Sequence, residues 1–125
     1  MARQRQAGGE PGAAVERSLG RLAERLEGSD SLREGTVVFR LSGAAGGHYH
    51  LESRGRKVRM VPAAEAGLER EPVLEIHADA ETVQRILDGE KDAAKQFFAG
   101  GIRVRGDLRY LSDVALELGL LEQPL

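Results

Sequence analysis

His48, His50 and Glu52 stand at alternate positions, which on a strand aims all three to one side at intervals of about 7 Å. A surface metal could bridge two of them, and the same spacing is equally that of three solvated residues on the wet face of a sheet. His77 stands alone beside Ile76. The serines and aspartates form no recognisable triad, and no Gly-x-Ser-x-Gly elbow is present. Gly43, Gly46 and Gly47, and later Gly100, Gly101 and Gly106, lack the spacing and the following lysine of a phosphate loop, and they fit no dinucleotide fingerprint. The chain has no cysteine, which removes a thiolate nucleophile, a disulfide framework and sulfur ligands for zinc. Catalysis therefore has no visible carrier; the expectation is a protein that is not an enzyme and needs no metal or cofactor.

The basic residues give a second chemistry. Arg54, Arg56, Lys57, Arg59, Arg103 and Arg105 would form one stripe if the last strand lay beside the earlier ones. Such a stripe is either a solvated face that keeps sheets from stacking or an attraction for anionic lipid headgroups, worth on the order of 1 kcal/mol per basic residue near the surface. Nucleic acid is not an expected partner. The net charge of −2 supplies no global field, and the basic face offers no aromatic residue for base stacking.

These residues are carried by elements that the hydrophobic pattern makes legible. The 125 residues, 41% of them hydrophobic, suffice for one domain with a core. Residues 1–12, with two adjacent glycines, Pro11 and scattered apolar positions, read as a disordered lead-in, and the domain runs over 13–125. Val15, Leu19, Leu22 and Leu26 recur at helical spacing up to Gly28. Val37, Phe39 and Leu41 then alternate with polar residues, as do Tyr49 with Leu51 and Val58 with Met60, across glycine-bearing turns; this predicts an antiparallel meander. Residues 62–72 read as a loop or a short irregular helix. Leu74 and Ile76 mark a fourth strand, and Asp79 and Asp92 cap two helices. Gly100 and Gly101 end the second of these, Ile102 to Arg105 alternates as a strand, and Asp107 caps a last helix bearing Leu108, Leu111, Ala115 and Leu118 on one side.

The sum is an α+β fold, a largely antiparallel five-stranded sheet with helices covering one face and water on the other. No run reaches the roughly 18 apolar residues of a membrane span, and no apolar signal-peptide core opens the chain. A cytoplasmic protein is the expectation. The last helix and tail hold more apolar residues than one stripe needs: Val114, Ala115, Leu116, Leu118, Leu120, Leu121 and Leu125. They read either as core plus a homodimer contact or as the lining of a space for a greasy ligand.

The phrases VVFRLSG, GGHYHLESRGRKV and LDGEKDAAKQFFAGGIRVRGDLRYL, taken in order, resemble the sterol carrier protein 2 (SCP2) family of lipid-binding domains over about Val15 to Leu121. Tyr49 stands where that family often has tryptophan, and Phe98 where it commonly has methionine. The resemblance implies an apolar tunnel between sheet and helices, and non-catalytic binding, transfer or presentation of a sterol, fatty acyl or isoprenoid lipid. Mapped here, the strand side of the tunnel would be Phe39, Leu41, Met60, Leu74, Ile76, Ile102 and Val104. Its helix side would be Ile86, Phe97, Phe98, Leu111, Ala115 and Leu118. A lipid or other apolar small molecule is the implied partner, with transient contact to an anionic membrane and a second copy of the chain as further partners. The resemblance also allows an accessory subunit that presents lipid to an enzyme, and the leucine-rich last helix remains readable as an interaction module.

Overall fold

The computed structural model describes residues 11–62 and 71–125, in the order α1 (Pro11–Leu26), β1 (Gly35–Ser42), β2 (Gly47–Arg54), β3 (Lys57–Pro62), β4 (Leu74–Asp79), α2 (Ala80–Leu87), α3 (Ala93–Phe98), β5 (Ile102–Gly106) and α4 (Leu108–Glu117). The helix opens at Pro11, two residues before the expected domain boundary; proline suits a first helical position because no intrahelical partner is needed for the amide it lacks. The rest of the expected lead-in, and most of the expected loop over 62–72, lie outside the described residues.

Helix boundaries follow local chemistry. Asp79, Asp92 and Asp107 each accept backbone amides of the first turn that follows, so the three predicted caps are made. α3 and α4 end alike: Gly101 N donates to Gln96 O (2.8 Å) and Leu120 N to Ala115 O (2.8 Å), with Gly100 and Gly119 at φ +84° and +79° between helix and exit. Both lie in the left-handed region, where an L side chain is strained even with open space around it, which is why glycine suits both sites.

The sheet order is β3-β2-β1-β4-β5, antiparallel except for the parallel pair β1–β4. The α+β, mostly antiparallel architecture thus stands. On one face, ladder partners line up in apolar rows: Met60, Leu51, Val37 and Leu74 form one, and Tyr49, Phe39, Ile76 and Val104 another. Val15, Leu19, Leu22, Ala23 and Leu26 of α1, with Ala80 and Val83 of α2, close over this face and bury it.

Two expectations about the other face are corrected. It is not simply wet, because Val38, His50 and Val61, ladder partners in one row, are 1%, 6% and 9% exposed. His50 is therefore not one of three solvated residues, and among the described residues no group of three His, Asp or Glu is placed to hold a metal ion. The basic stripe is also split. β3 and β5 are opposite edges of the sheet, so Arg103 and Arg105 lie far from Lys57 and Arg59; β2, β1 and β4 lie between them, and the placing of β4 beside β1 is a crossover that strand periodicity does not encode.

Candidate functional site

The apolar face and the helices meet around a space rather than closing on one another. Between them lies a cavity of about 140 Å³. Its floor is Val37, Phe39, Leu51, Leu74, Ile76 and Ile102 from four strands. Leu22 and Leu26 of α1, Val83, Ile86 and Leu87 of α2, and Ala93 and Phe97 of α3 form the walls. Tyr110, Leu111, Val114, Ala115 and Leu118 of α4 complete them with Leu120, Leu121 and Leu125 of the tail.

Tyr110 is the one polar residue of the lining, and its hydroxyl is engaged elsewhere. The Arg33 amide donates to it at 3.2 Å, and the Arg33 guanidinium lies 4.4 Å over the ring while donating to Asp107 at 2.8 Å. The amide of Tyr110, and then the Arg33 guanidinium, hold the Asp107 carboxyl below its ordinary range. The ring thus serves as wall and the polar tip as an anchor outside it. Glu117 closes the adjoining corner. It accepts from Ser29 Oγ (2.9 Å), Asp30 N (2.7 Å) and Ser31 N (3.2 Å), which ties the α1–β1 connection to the end of α4 and lowers its carboxyl pKa, the Asp30 amide contributing most. Arg25 donates to the carbonyl of Leu118, joining α1 to the same helix end.

Of the thirteen residues read from sequence, Phe39, Leu74, Ile76, Ile86, Phe97, Ile102, Leu111, Ala115 and Leu118 line the cavity, and four do not. Leu41 is buried in the core at the end of β1. Met60 and Val104 sit half-buried on the two edge strands, packed against the core but lateral to the space under α4. Phe98 is 74% exposed: successive helical residues point about 100° apart, so with Phe97 turned inward its neighbour turns out, the two rings meeting edge to face at 5.4 Å.

Sequence reasoning placed Leu22 and Leu26 in the core helix and Val37 and Leu51 on the inner sheet face without assigning them to a cavity. The apolar surplus of the C-terminal segment turns largely inward. Leu120 N and Leu121 N both donate to Ala115 O and Leu125 N donates to Ser112 Oγ (3.0 Å), folding the tail back so that its leucines reach the lining.

Comparison with solved structures supports the architecture. The sterol carrier protein domain 2 of Helicoverpa armigera matches with a TM-score of 0.69 over 97% of this chain and 98% of that one, at 16% identity. Sterol Carrier Protein 2 Like 2 from Aedes aegypti matches with a TM-score of 0.58 over 84% and 93%, at 20% identity. The palmitated form of the Aedes aegypti protein gives a TM-score of 0.56 over 84% and 87%, at 16% identity. At such identities the likeness is one of fold. A search of curated protein sequences gave no match. The model of the SCP-2 sterol transfer family matches residues 16–115, which include most of the described fold and the cavity lining up to Ala115, and the chain belongs to that family.

Proposed function

We propose that the protein binds a lipid, or a lipid-like apolar molecule, non-catalytically in the cavity between sheet and helices, and hands it on. The observation that carries this is a space lined by apolar side chains, whose single polar member has its hydroxyl bonded outside. Apolar cavities of about this size, roughly 150 Å³, stay dry and accept small hydrocarbons. With no polar handle aimed inward, a hydrocarbon tail is held by burial alone, which favours breadth over selectivity. One structural neighbour is a palmitated protein, in keeping with a fatty acyl ligand.

Energetics favours a carrier that lets go. Each buried methylene is worth about 0.8 kcal/mol relative to water, yet a bilayer is equally apolar, so the surplus over membrane is near zero. Pockets for drug-sized ligands occupy roughly 300–1,000 Å³, so a long tail must widen this one. The tail from Leu120 to Leu125 is part of the wall and is tied to α4 through the amides of Leu120, Leu121 and Leu125.

The exposed Phe98 suits transient membrane contact. It stands at the end of the helix that also supplies Phe97 to the lining, with Lys91 and Lys95 nearby in the chain to meet anionic headgroups. Uptake of a fluorescent fatty acid, in solution and from anionic vesicles, separates the two roles. Leu111→Asp should abolish uptake in both settings while the circular dichroism spectrum stays folded. Phe98→Asp should leave uptake in solution intact and slow uptake from vesicles. Unchanged uptake by the Leu111 variant would remove the cavity from the mechanism.

A further inference from the structure

The face of the sheet turned away from the cavity carries four basic side chains in one row. His48 is the ladder partner of Arg40, Arg40 of His77, and His77 of Arg103. Ladder partners project to the same side, and neighbouring strands lie about 4.8 Å apart, so the row spans four strands and roughly 14 Å. Over it lies a cleft of about 630 Å³, whose lining also includes Ser42, Asp79 and the chain at Gly100 and Gly101. In a protein of net charge −2, two arginines meet a single lining acid, Asp79, with the Glu75 carboxylate beside the row.

The row is held in place by a carboxylate beside it. Arg40 Nε donates to Glu75 Oε2 at 3.0 Å, and His77 Nε2 bonds Glu75 Oε1 at 2.8 Å. Arg105 adds a longer ion pair to the same carboxylate, 3.8 Å. Arg40 is thus fixed through Nε, and its two terminal nitrogens, with their four N–H groups, make no hydrogen bond among the described residues. Arg103 and His48 form neither an ion pair nor a hydrogen bond among the described residues. The lining acid is already engaged: Asp79 Oδ2 accepts the amides of Glu81 (3.0 Å) and Thr82 (3.3 Å).

We propose that this cleft is a binding site for an oxyanion, and that the group it fits is a phosphate. A carboxylate presents two oxygens in one plane, which a single guanidinium satisfies. Arg40 and Arg103 approach instead from strands on either side of β4, with His77 between them. A tetrahedral phosphate offers oxygens in separate directions and can take charge-assisted bonds from both arginines at once. The phosphate can be free or belong to a lipid headgroup; in either case the site lies on the opposite face from the cavity and does not depend on what the cavity binds.

Titrating the ¹⁵N-labelled full chain at constant ionic strength, first with inorganic phosphate and then with dihexanoyl phosphatidic acid below its micelle concentration, tests this. Saturable shifts are expected at His48, His77, Gly100, Gly101 and Arg103. R103Q, at an exposed position, should weaken binding about tenfold or more, the effect of losing a charge-assisted bond. R59Q, at an exposed arginine on β3 outside the cleft, should leave binding unchanged. Saturation by both ligands identifies a site for phosphate itself, and saturation by phosphatidic acid alone identifies one that reads the lipid headgroup. Non-saturating shifts with both, or equal affinities for R103Q and R59Q, would overturn the proposal.

Discussion

Ile76 and His77 follow one another on β4, and each represents one face of the sheet. Ile76 is 7% exposed and forms part of the cavity floor, whereas His77 bonds Glu75 and borders the basic cleft. The same contrast repeats on β1 between Phe39 and Arg40 and on β5 between Ile102 and Arg103. One backbone thus presents two chemistries because successive side chains leave a strand on opposite sides. The inner face gains its stability from helices that cover it, and the outer row gains its geometry from polar bonds along the sheet.

Charge substitution should break this comparison most forcefully. Ile76→Glu places a carboxylate among apolar walls with no partner, and is expected to lose about 4 kcal/mol of unfolding free energy, a large part of the roughly 5–15 kcal/mol of an ordinary domain. His77→Gln, one residue on, should remain within about 1 kcal/mol, since its ring is part-exposed and an amide can still bond Glu75. Urea midpoints measure both. Comparable losses would mean that the two faces are not energetically distinct.

The two faces also differ in how far the sequence disclosed them. Alternation in Val37-Val38-Phe39-Arg40-Leu41 marks direction reliably, because a period of two is a property of the backbone alone. It does not report cover. Val38 and His50 point with the polar side yet are buried, an outcome of tertiary packing. Caps and stops were legible as well, since an aspartate bonding the next turn and a glycine at positive φ are local events. Strand order was not: the parallel docking of β4 on β1 puts β5 at the edge opposite β3, which disperses one basic stripe and assembles another from His48, Arg40, His77 and Arg103. The same limit explains the lining. Leu111, Ala115 and Leu118 follow from helical spacing, but Phe97 and Phe98 are equally apolar and only the axis of α3 decides which faces in.

A cavity-filling substitution sharpens the inner half of the comparison. Ala115 is buried and part of the lining, so Ala115→Leu drives three further carbons into the space. In a close-packed core such an insertion costs about 1–3 kcal/mol. Over a void it should shift stability by no more than about 1 kcal/mol, added burial offsetting local strain, while fatty-acid uptake falls sharply. Destabilisation with undiminished uptake would place the ligand elsewhere.

The mildest expected effect comes from acid, and it separates two carboxylates. Glu75 and Glu117 both titrate below the ordinary glutamate range: Glu75 chiefly through its bond to His77 and then Arg40, Glu117 chiefly through the Asp30 amide and then the Ser29 hydroxyl. A carboxyl whose pKa is lower folded than unfolded stabilises the fold fully above the unfolded value, about 4.3 for glutamate, and loses that contribution as pH falls through the folded value. Melting temperature should therefore decline below about pH 4.3, and E75Q and E117Q should each flatten part of that decline. Salt distinguishes them. Glu75 is held in part by the Arg40 guanidinium on a part-open face, so about 1 M NaCl, with its screening length near 3 Å, should erase part of the difference between E75Q and the parent. Glu117 is held by neutral amides and a hydroxyl, and the effect of E117Q should persist in the same salt. Equal salt sensitivity would show that the outer row is held together by hydrogen-bond geometry rather than by charge, and with it would go the premise that this face is electrostatically poised for an anion.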